Sequence, residues 1–197
     1  MHGLDAMEGG TTAVLIRMPQ GFRLDKALST RGSISPYMKI TIGVLSDTHL
    51  HGVTEALKEI YARFLKDVDV ILHAGDFTSE EIVAFLQKKS FHGVHGNMDP
   101  LEVKAQLPAK KVIRFGAYKV GLIHGGGPKT GLEERVAGEF QNVDVVVFGH
   151  SHQSENRRKD GLLLFNPGTA AGYTSSGHHT IGLLTLDEHI HSEIIRL

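Results

Sequence analysis

Lys39-Ile40-Thr41-Ile42-Gly43-Val44-Leu45-Ser46-Asp47-Thr48-His49 holds the pattern from which the architecture can be read. Residues 39–46, rich in Ile, Val and Leu, read as a buried β-strand, since a nearly continuous apolar run suits a strand covered on both faces. A carboxylate and an imidazole follow directly. The same grammar recurs four times: residues 68–75 precede Asp76, residues 91–96 precede Asn97, residues 119–123 precede His124, and residues 144–149 precede His150 and His152. Side chains at the carboxyl ends of neighbouring strands converge on one crevice in open α/β sheets. Seven oxygen and nitrogen donors delivered there describe a dinuclear metal site. Alternate residues of an extended segment project to one side, so Asp47 is expected to act with His49, and His150 with His152.

Any one of these fragments is a weak signal with a real chance of accidental occurrence. Their joint occurrence, each after a strand-like run, carries the argument. Asp47-Thr48-His49, Gly75-Asp76, Gly96-Asn97, His124-Gly125 and Gly149-His150-Ser151-His152 resemble the blocks of the calcineurin-like metallophosphoesterase superfamily, which read Asp-x-His, Gly-Asp, Gly-Asn-(His/Cys)-(Asp/Glu), His and Gly-His-x-His. The resemblance spans residues 39–197. Leu107-Pro108, Gly121-Leu122-Ile123-His124-Gly125 and Asn166-Pro167-Gly168-Thr169 look most like the small single-domain YfcE-type phosphodiesterases.

What the resemblance implies is specific. It implies an α/β fold, the four-layer α-β-β-α sandwich of two mixed sheets flanked by helices, over residues 38–197. One metal would take Asp47, His49, Asp76 and His152, and the other Asp76, Asn97, His124 and His150, with the two carboxylate oxygens of Asp76 as the bridge. Asn97, His124 and His150 would also contact the phosphate. Oxygen and nitrogen ligands suit two divalent ions, Mn²⁺ foremost, with Ni²⁺, Fe²⁺ and Zn²⁺ as the other candidates. Two divalent ions against two carboxylates and five neutral ligands leave a positive site that a bridging hydroxide and a phosphodiester monoanion neutralise. The expected reaction is therefore phosphodiester hydrolysis by in-line attack of hydroxide bridging the two metals.

One position departs from the pattern. After Gly96-Asn97 the superfamily often has His, a proton donor to the leaving oxygen, and YfcE-type members often have Cys, whereas here Met98 stands and can donate no proton. His51 and Asp99 are the weak candidates for a substitute general acid.

Bulk properties bound the alternatives. A chain of 197 residues with 41% hydrophobic and 22% charged residues fits one domain with a sizeable core. A net charge of −1 and the lack of a dense Lys/Arg run disfavour a nucleic-acid partner and leave a small phosphodiester as the expected substrate. Cysteine is absent, which removes disulfides and thiolate ligands. No apolar stretch reaches the ~20 residues of a membrane helix, so a cytoplasmic protein is expected.

Residues 1–37, interrupted by Gly9-Gly10, Pro19, Gly21, Gly32 and Pro36, read as a flexible N-terminal extension without the apolar core of a signal peptide. Val53, Leu57, Ile60, Tyr61, Phe64 and Leu65 recur at helical spacing. A second helix is expected from a Thr78 or Ser79 cap through Lys89, and a third over residues 131–140. From Gln153 onward, turn signals at Lys159-Asp160-Gly161 and Asp187-Glu188 predict hairpins.

Several residues have bland readings. His73 is read as a core or supporting histidine rather than a ligand, and His92 and His95 as lining the sheet or site edge, with His95 a weaker candidate for phosphate. His178, His179, His189 and His191 are read as exposed hairpin residues. Gly125-Gly126-Gly127 stays open between an anion cradle and a plain loop, and Arg157, Arg158 and Lys159 read as a solvated tip. The competing functions are a non-catalytic scaffold like the retromer subunit of the same fold, and phosphomonoesterase or nuclease activity on the same centre. Relatives of this type often self-associate, so a homo-oligomer is a further expectation.

Overall fold

The structure, a computed structural model, describes residues 38–172, 174 and 177–197; the extension expected over residues 1–37 lies outside them. In chain order the strands are β1 (Ile40–Leu45), β2 (Val70–His73), β3 (Phe91–Gly93), β4 (Lys110–Phe115), β5 (Tyr118–Ile123), β6 (Val145–Val147), β7 (Glu155–Lys159), β8 (Leu162–Asn166), β9 (Thr180–Leu186) and β10 (Ile190–Arg196). The helices are α1 (Glu55–Ile60), prolonged by a π-helical turn over Tyr61–Leu65, α2 (Glu80–Leu86), α3 (Leu101–Gln106) and α4 (Leu132–Gly138).

Two five-stranded sheets result, ordered β10-β9-β1-β2-β3 and β4-β5-β6-β8-β7. Both are mixed. In the first, β1 runs parallel to β2 and antiparallel to β9; in the second, β6 runs parallel to both β5 and β8, while β4 and β7 close the edges antiparallel.

The period-2 alternation of strand side chains builds the layers. Ile42 and Val44 of β1 meet Val145 and Val147 of β6 and Leu163 and Phe165 of β8 in a core between the sheets. Leu45 and Ile71 point the other way, into a second core with Leu57, Leu65, Ile82, Leu86 and Val103 of the helical segments. Val146 and Leu164 join Leu132 and Val136 of α4 in a third. These three cores are the seams of the four-layer sandwich. Gly182 of β9 is needed where it stands, because a Cβ there would run into the Phe165 ring.

Local signals explain the helix starts. Thr54 Oγ1 accepts from Leu57 N–H and Ser79 Oγ from Glu81 N–H, and Glu80 and Glu81 sit in the first turn of α2, where the helix dipole favours carboxylates. Both expected hairpins form, β7–β8 in one sheet and β9–β10 in the other.

Three features differ from expectation. The runs 68–75, 91–96 and 144–149 leave their ladders early, at His73, Gly93 and Val147, because the following residues turn into the site. Helix α3 and strand β4 were not anticipated. Among the described residues, no helix is long and apolar enough to cross a membrane.

Candidate metal centre

The donors sit on loops that follow β1, β2, β3, β5 and β6, as the strand-end argument requires, but not on extended chain. Asp47, His49, Asp76, His150 and His152 have φ between 47° and 68°, in the left-handed region that non-glycine residues rarely adopt. Each such residue costs about 1–3 kcal/mol and persists only where its surroundings impose it. Projection from an extended segment is thus not what pairs the donors: Asp47 and His49 do meet, while His150 and His152 diverge to different neighbours.

The imposing contacts are hydrogen bonds from distant chain. Thr169 Oγ1 donates to the Asp47 carbonyl at 2.7 Å, and Asn166 Nδ2 donates to the Gly149 carbonyl at 2.9 Å and to Ser151 Oγ at 3.1 Å. Asp99 accepts from Asp76 N–H at 3.0 Å, Gly96 N–H at 2.7 Å and Thr78 N–H at 2.8 Å. Asp47 Oδ2 accepts from Ser46 Oγ at 2.5 Å and His150 N–H at 3.1 Å, tying the first donor loop to the last. Ser46, Asn166 and Thr169 were missed as functional residues. For Asn166 and Thr169 the signal was the Asn166-Pro167-Gly168-Thr169 resemblance, to which no role was attached; Ser46 was read only as the end of the first strand run.

The inward-facing atoms fall into two groups sharing one carboxylate. His152 Nε2 lies 3.3 Å and His49 Nε2 3.8 Å from Asp47 Oδ1, the two imidazole nitrogens are 3.2 Å apart, and His49 Nε2 is 3.6 Å from Asp76 Oδ2. On the other side, His124 Nε2 lies 3.2 Å from the same Asp76 Oδ2 and 3.1 Å from Asn97 Oδ1, which is 3.0 Å from His150 Nδ1. All seven sequence-derived donors are therefore gathered. At Asp76, Oδ1 accepts from Met98 N–H at 2.8 Å, and Oδ2 lies 3.6 Å from His49 Nε2 and 3.2 Å from His124 Nε2, one from each group.

Tautomers decide what such an enclosure can hold. A carbonyl only accepts, so His124 Nδ1, 2.7 Å from the Ala74 carbonyl, carries a proton, as does His150 Nε2, 2.9 Å from the Gly127 carbonyl. In the neutral rings, His124 Nε2 and His150 Nδ1 are then bare lone pairs turned toward Asn97 Oδ1. Asp47 Oδ1 is buried and accepts no hydrogen bond. Lone pairs crowded together without donors between them repel and are poorly solvated, and a cation satisfies them all. The donor set fits divalent metal, and two groups, Asp47-His49-His152 and Asp47-Asp76-His124, have ligand atoms within 4.8 Å of one another.

Electrostatics agree. Burial by itself would raise the Asp47 carboxyl, but the His152 and His49 imidazoles, the His124 charge and the Ser46 hydroxyl outweigh it and hold the group well below the usual carboxylate range. Asp76 is lowered in the same way, its burial overcome by His124 and the Met98 amide. Burial opposes a proton on His124, yet Asp76 and Asp47 raise its pKa, so a proton is drawn to where a cation would sit.

The remaining candidates separate clearly. Asp99 is buried and both of its oxygens accept from backbone N–H groups, which clamps the Asp76 loop. His51 is exposed. His73 is fully buried and stacked on Phe77 at 3.7 Å between ring centroids, a supporting core histidine as read from the sequence. His95 is partly buried with Nδ1 3.3 Å from the Gly96 carbonyl, and His92 approaches Lys111 Nζ at 3.3 Å. Met98 is 60% exposed beside the carboxylate that its amide holds.

A family model described as the calcineurin-like phosphoesterase superfamily domain matches residues 38–189. The chain belongs to this superfamily. A superfamily relative, a probable metallophosphoesterase of Methanothermobacter thermautotrophicus, is 33% identical over 158 residues, covering 79% of this chain and 91% of that protein. The solved structure of an archaeal phosphodiesterase aligns with a TM-score of 0.66 at 26% identity, covering 80% of this chain and 100% of that one. Vps29 of Entamoeba histolytica, solved in complex with zinc, shares the superfamily fold, with a TM-score of 0.60 at 22% identity over 80% of this chain and 99% of its own.

Proposed function

We propose that this protein is a metal-dependent phosphodiesterase acting on small phosphodiesters through a pair of divalent cations, with manganese the preferred ion. The observation that carries the proposal is the inward row of bare acceptors, above all the buried Asp47 Oδ1 that accepts no hydrogen bond. Asp47, His49, Asp76 and His152 would hold one cation, and Asp76, Asn97, His124 and His150 the other. When bound, divalent cations make water available as a nucleophile near neutral pH and offset charge on phosphoryl oxygens.

The chain's own contribution is placement. Two carboxylates against two divalent ions leave the site positive, and a phosphodiester monoanion is drawn to it. Asp76, whose Oδ2 faces His49 on one side and His124 on the other while Met98 N–H holds Oδ1, would be shared between the two halves. Met98 places no proton donor near the leaving oxygen, and Asp99 is occupied as a clamp. Diesters whose leaving group departs unassisted are therefore the preferred substrates.

A binding scaffold on the same fold is the second reading, favoured by the likeness to Vps29. Zinc occupancy does not separate the two, since that Vps29 was solved with zinc; turnover does. Wild-type protein with Mn²⁺ or Ni²⁺ is expected to hydrolyse bis-p-nitrophenyl phosphate, and Asp76→Ala and His124→Ala to lose roughly 10²–10³-fold or more with the fold intact by circular dichroism. Absence of turnover with every metal tried would return the protein to the scaffold class.

A further inference from the structure

The loop of residues 125–130, Gly125-Gly126-Gly127-Pro128-Lys129-Thr130, follows His124 and presents the Gly127 carbonyl to His150 Nε2. Three successive glycines have the largest backbone freedom of any tripeptide, and Gly125 and Gly127 take φ of +96° and +76°. Pro128 has no N–H to contribute to a local turn. The place of the Gly127 carbonyl must therefore be imposed from outside the loop. Arg135, in the last turn of the short helix α4, reaches back across it: Nη1 donates to the Thr130 carbonyl at 2.9 Å, and Nη2 donates to the Gly126 carbonyl at 3.0 Å and to the Pro128 carbonyl. A guanidinium is suited to this, being a rigid fork of five N–H donors.

We propose that Arg135 is a positioning residue for the second cation: it fixes the glycine loop so that the Gly127 carbonyl holds His150 in the tautomer whose Nδ1 faces Asn97 Oδ1. The inference rests on the two-cation reading above and answers the question left open for the glycines, since the loop serves the centre through a carbonyl rather than as an anion cradle. Without Arg135 the loop regains its freedom, the Gly127 carbonyl leaves His150 Nε2, and the imidazole rotates or presents the wrong nitrogen. Loss of such a partner behind a ligating histidine commonly costs 10- to 100-fold in metal affinity. The half of the centre containing His150 is the one affected, because the Gly127 carbonyl meets the donor set at His150 Nε2, on the side where Nδ1 faces Asn97 Oδ1.

Calorimetric titration of Mn²⁺ into metal-stripped protein tests this, with wild type, Arg135→Ala, Arg135→Lys, His150→Ala and the Arg135→Ala/His150→Ala double variant. Alanine preserves helix propensity, so α4 itself is not weakened. The expected result is two ions in wild type, one of them weakened about 10- to 100-fold in Arg135→Ala with the other unchanged. Arg135→Lys recovers only part, because an ammonium does not span three carbonyls. The double variant binds no worse than His150→Ala alone. An Arg135→Ala isotherm that superimposes on wild type, an equal weakening of both ions, or a further loss in the His150→Ala background would overturn the assignment and reduce Arg135 to a brace on the start of α4. A wild type that binds fewer than two ions overturns the two-cation reading itself, a failure distinct from the other three.

Discussion

His49 Nε2 and His152 Nε2 stand 3.2 Å apart, with Asp47 Oδ1 3.8 Å from the first and 3.3 Å from the second. Two N–H groups do not face one another at that distance, so at least one ring offers a lone pair into a pocket that already holds an unsatisfied carboxylate oxygen. A cation relieves both problems. Adding Mn²⁺ to the chelator-treated protein is therefore expected to raise its melting temperature, with about 2.7 kcal/mol of stabilisation at a hundredfold excess over Kd. In His152→Ala the shift should shrink sharply. A melting curve indifferent to divalent metal would contradict the reading.

Met98 bears on rate rather than on metal. With methionine at position 98, which donates no proton, turnover is expected to fall steeply from nitrophenyl to alkyl diesters. Met98→His should restore part of the missing assistance, commonly ~10²-fold or more, on alkyl diesters while changing nitrophenyl diesters little. Equal rates across the series in wild type would reveal an acid elsewhere.

Asn166 tests the brace. Its amide satisfies both the Gly149 carbonyl and Ser151 Oγ in a fully buried setting. Asn166→Leu removes one of two donors from each, the Ser151 and Gln153 N–H groups remaining, and leaves Gly168 N–H without the Asn166 Oδ1 acceptor it has at 2.9 Å; it should cost about 1–3 kcal/mol for that orphaned group, seen as a lower denaturation midpoint. Because that loop carries His150 and His152, metal affinity should fall as well. A variant with lowered stability but unaltered affinity would confine Asn166 to packing.

His73 gives a pH signature. Gly75 N–H donates to Nδ1 at 3.1 Å, so the remaining ring proton sits on Nε2, 3.3 Å from Thr48 Oγ1. Burial, only partly countered by Asp47 and Asp76, pushes the imidazole down from 6.5 to about 3. Between these values the unfolded chain binds a proton that the folded protein refuses. Above pH 6.5 the group has no effect; as pH falls toward 3 stability declines by ~1.4 kcal/mol per unit from this histidine alone. Stability measured from pH 6.5 to 4 should fall less steeply in His73→Gln than in wild type. Parallel curves would show that His73 is not the group responsible.

The apolar runs made β1, β2, β5 and β6 legible, and the polar residue after each run made the donors legible. What the sequence hid was backbone conformation. The left-handed turn at Asp47 depends on Thr169, 122 residues away, and no local pattern encodes such a bond. Asp99 hid its clamp for a related reason: a carboxylate near a site reads equally as acid or brace, and its three amide partners come from loops that the local sequence does not bring together. Helix α3 escaped notice because its six residues bury only Val103. Strand β4 did so because, as an edge, it carries Lys110, Lys111 and Arg114 and exposes Val112, the charged composition that keeps sheet edges from pairing with strangers.

The position of β9 has a temporal consequence. Strand β1, which launches Asp47, is interior to its sheet only because residues 180–186 lie against it. During synthesis β1 leaves the ribosome long before that partner exists, so for most of translation its outer flank is bare and the Thr169 tether on Asp47 has not yet been made. Completion of the candidate centre is in this sense a late event in the life of the nascent chain, waiting on the arrival of its final hairpin.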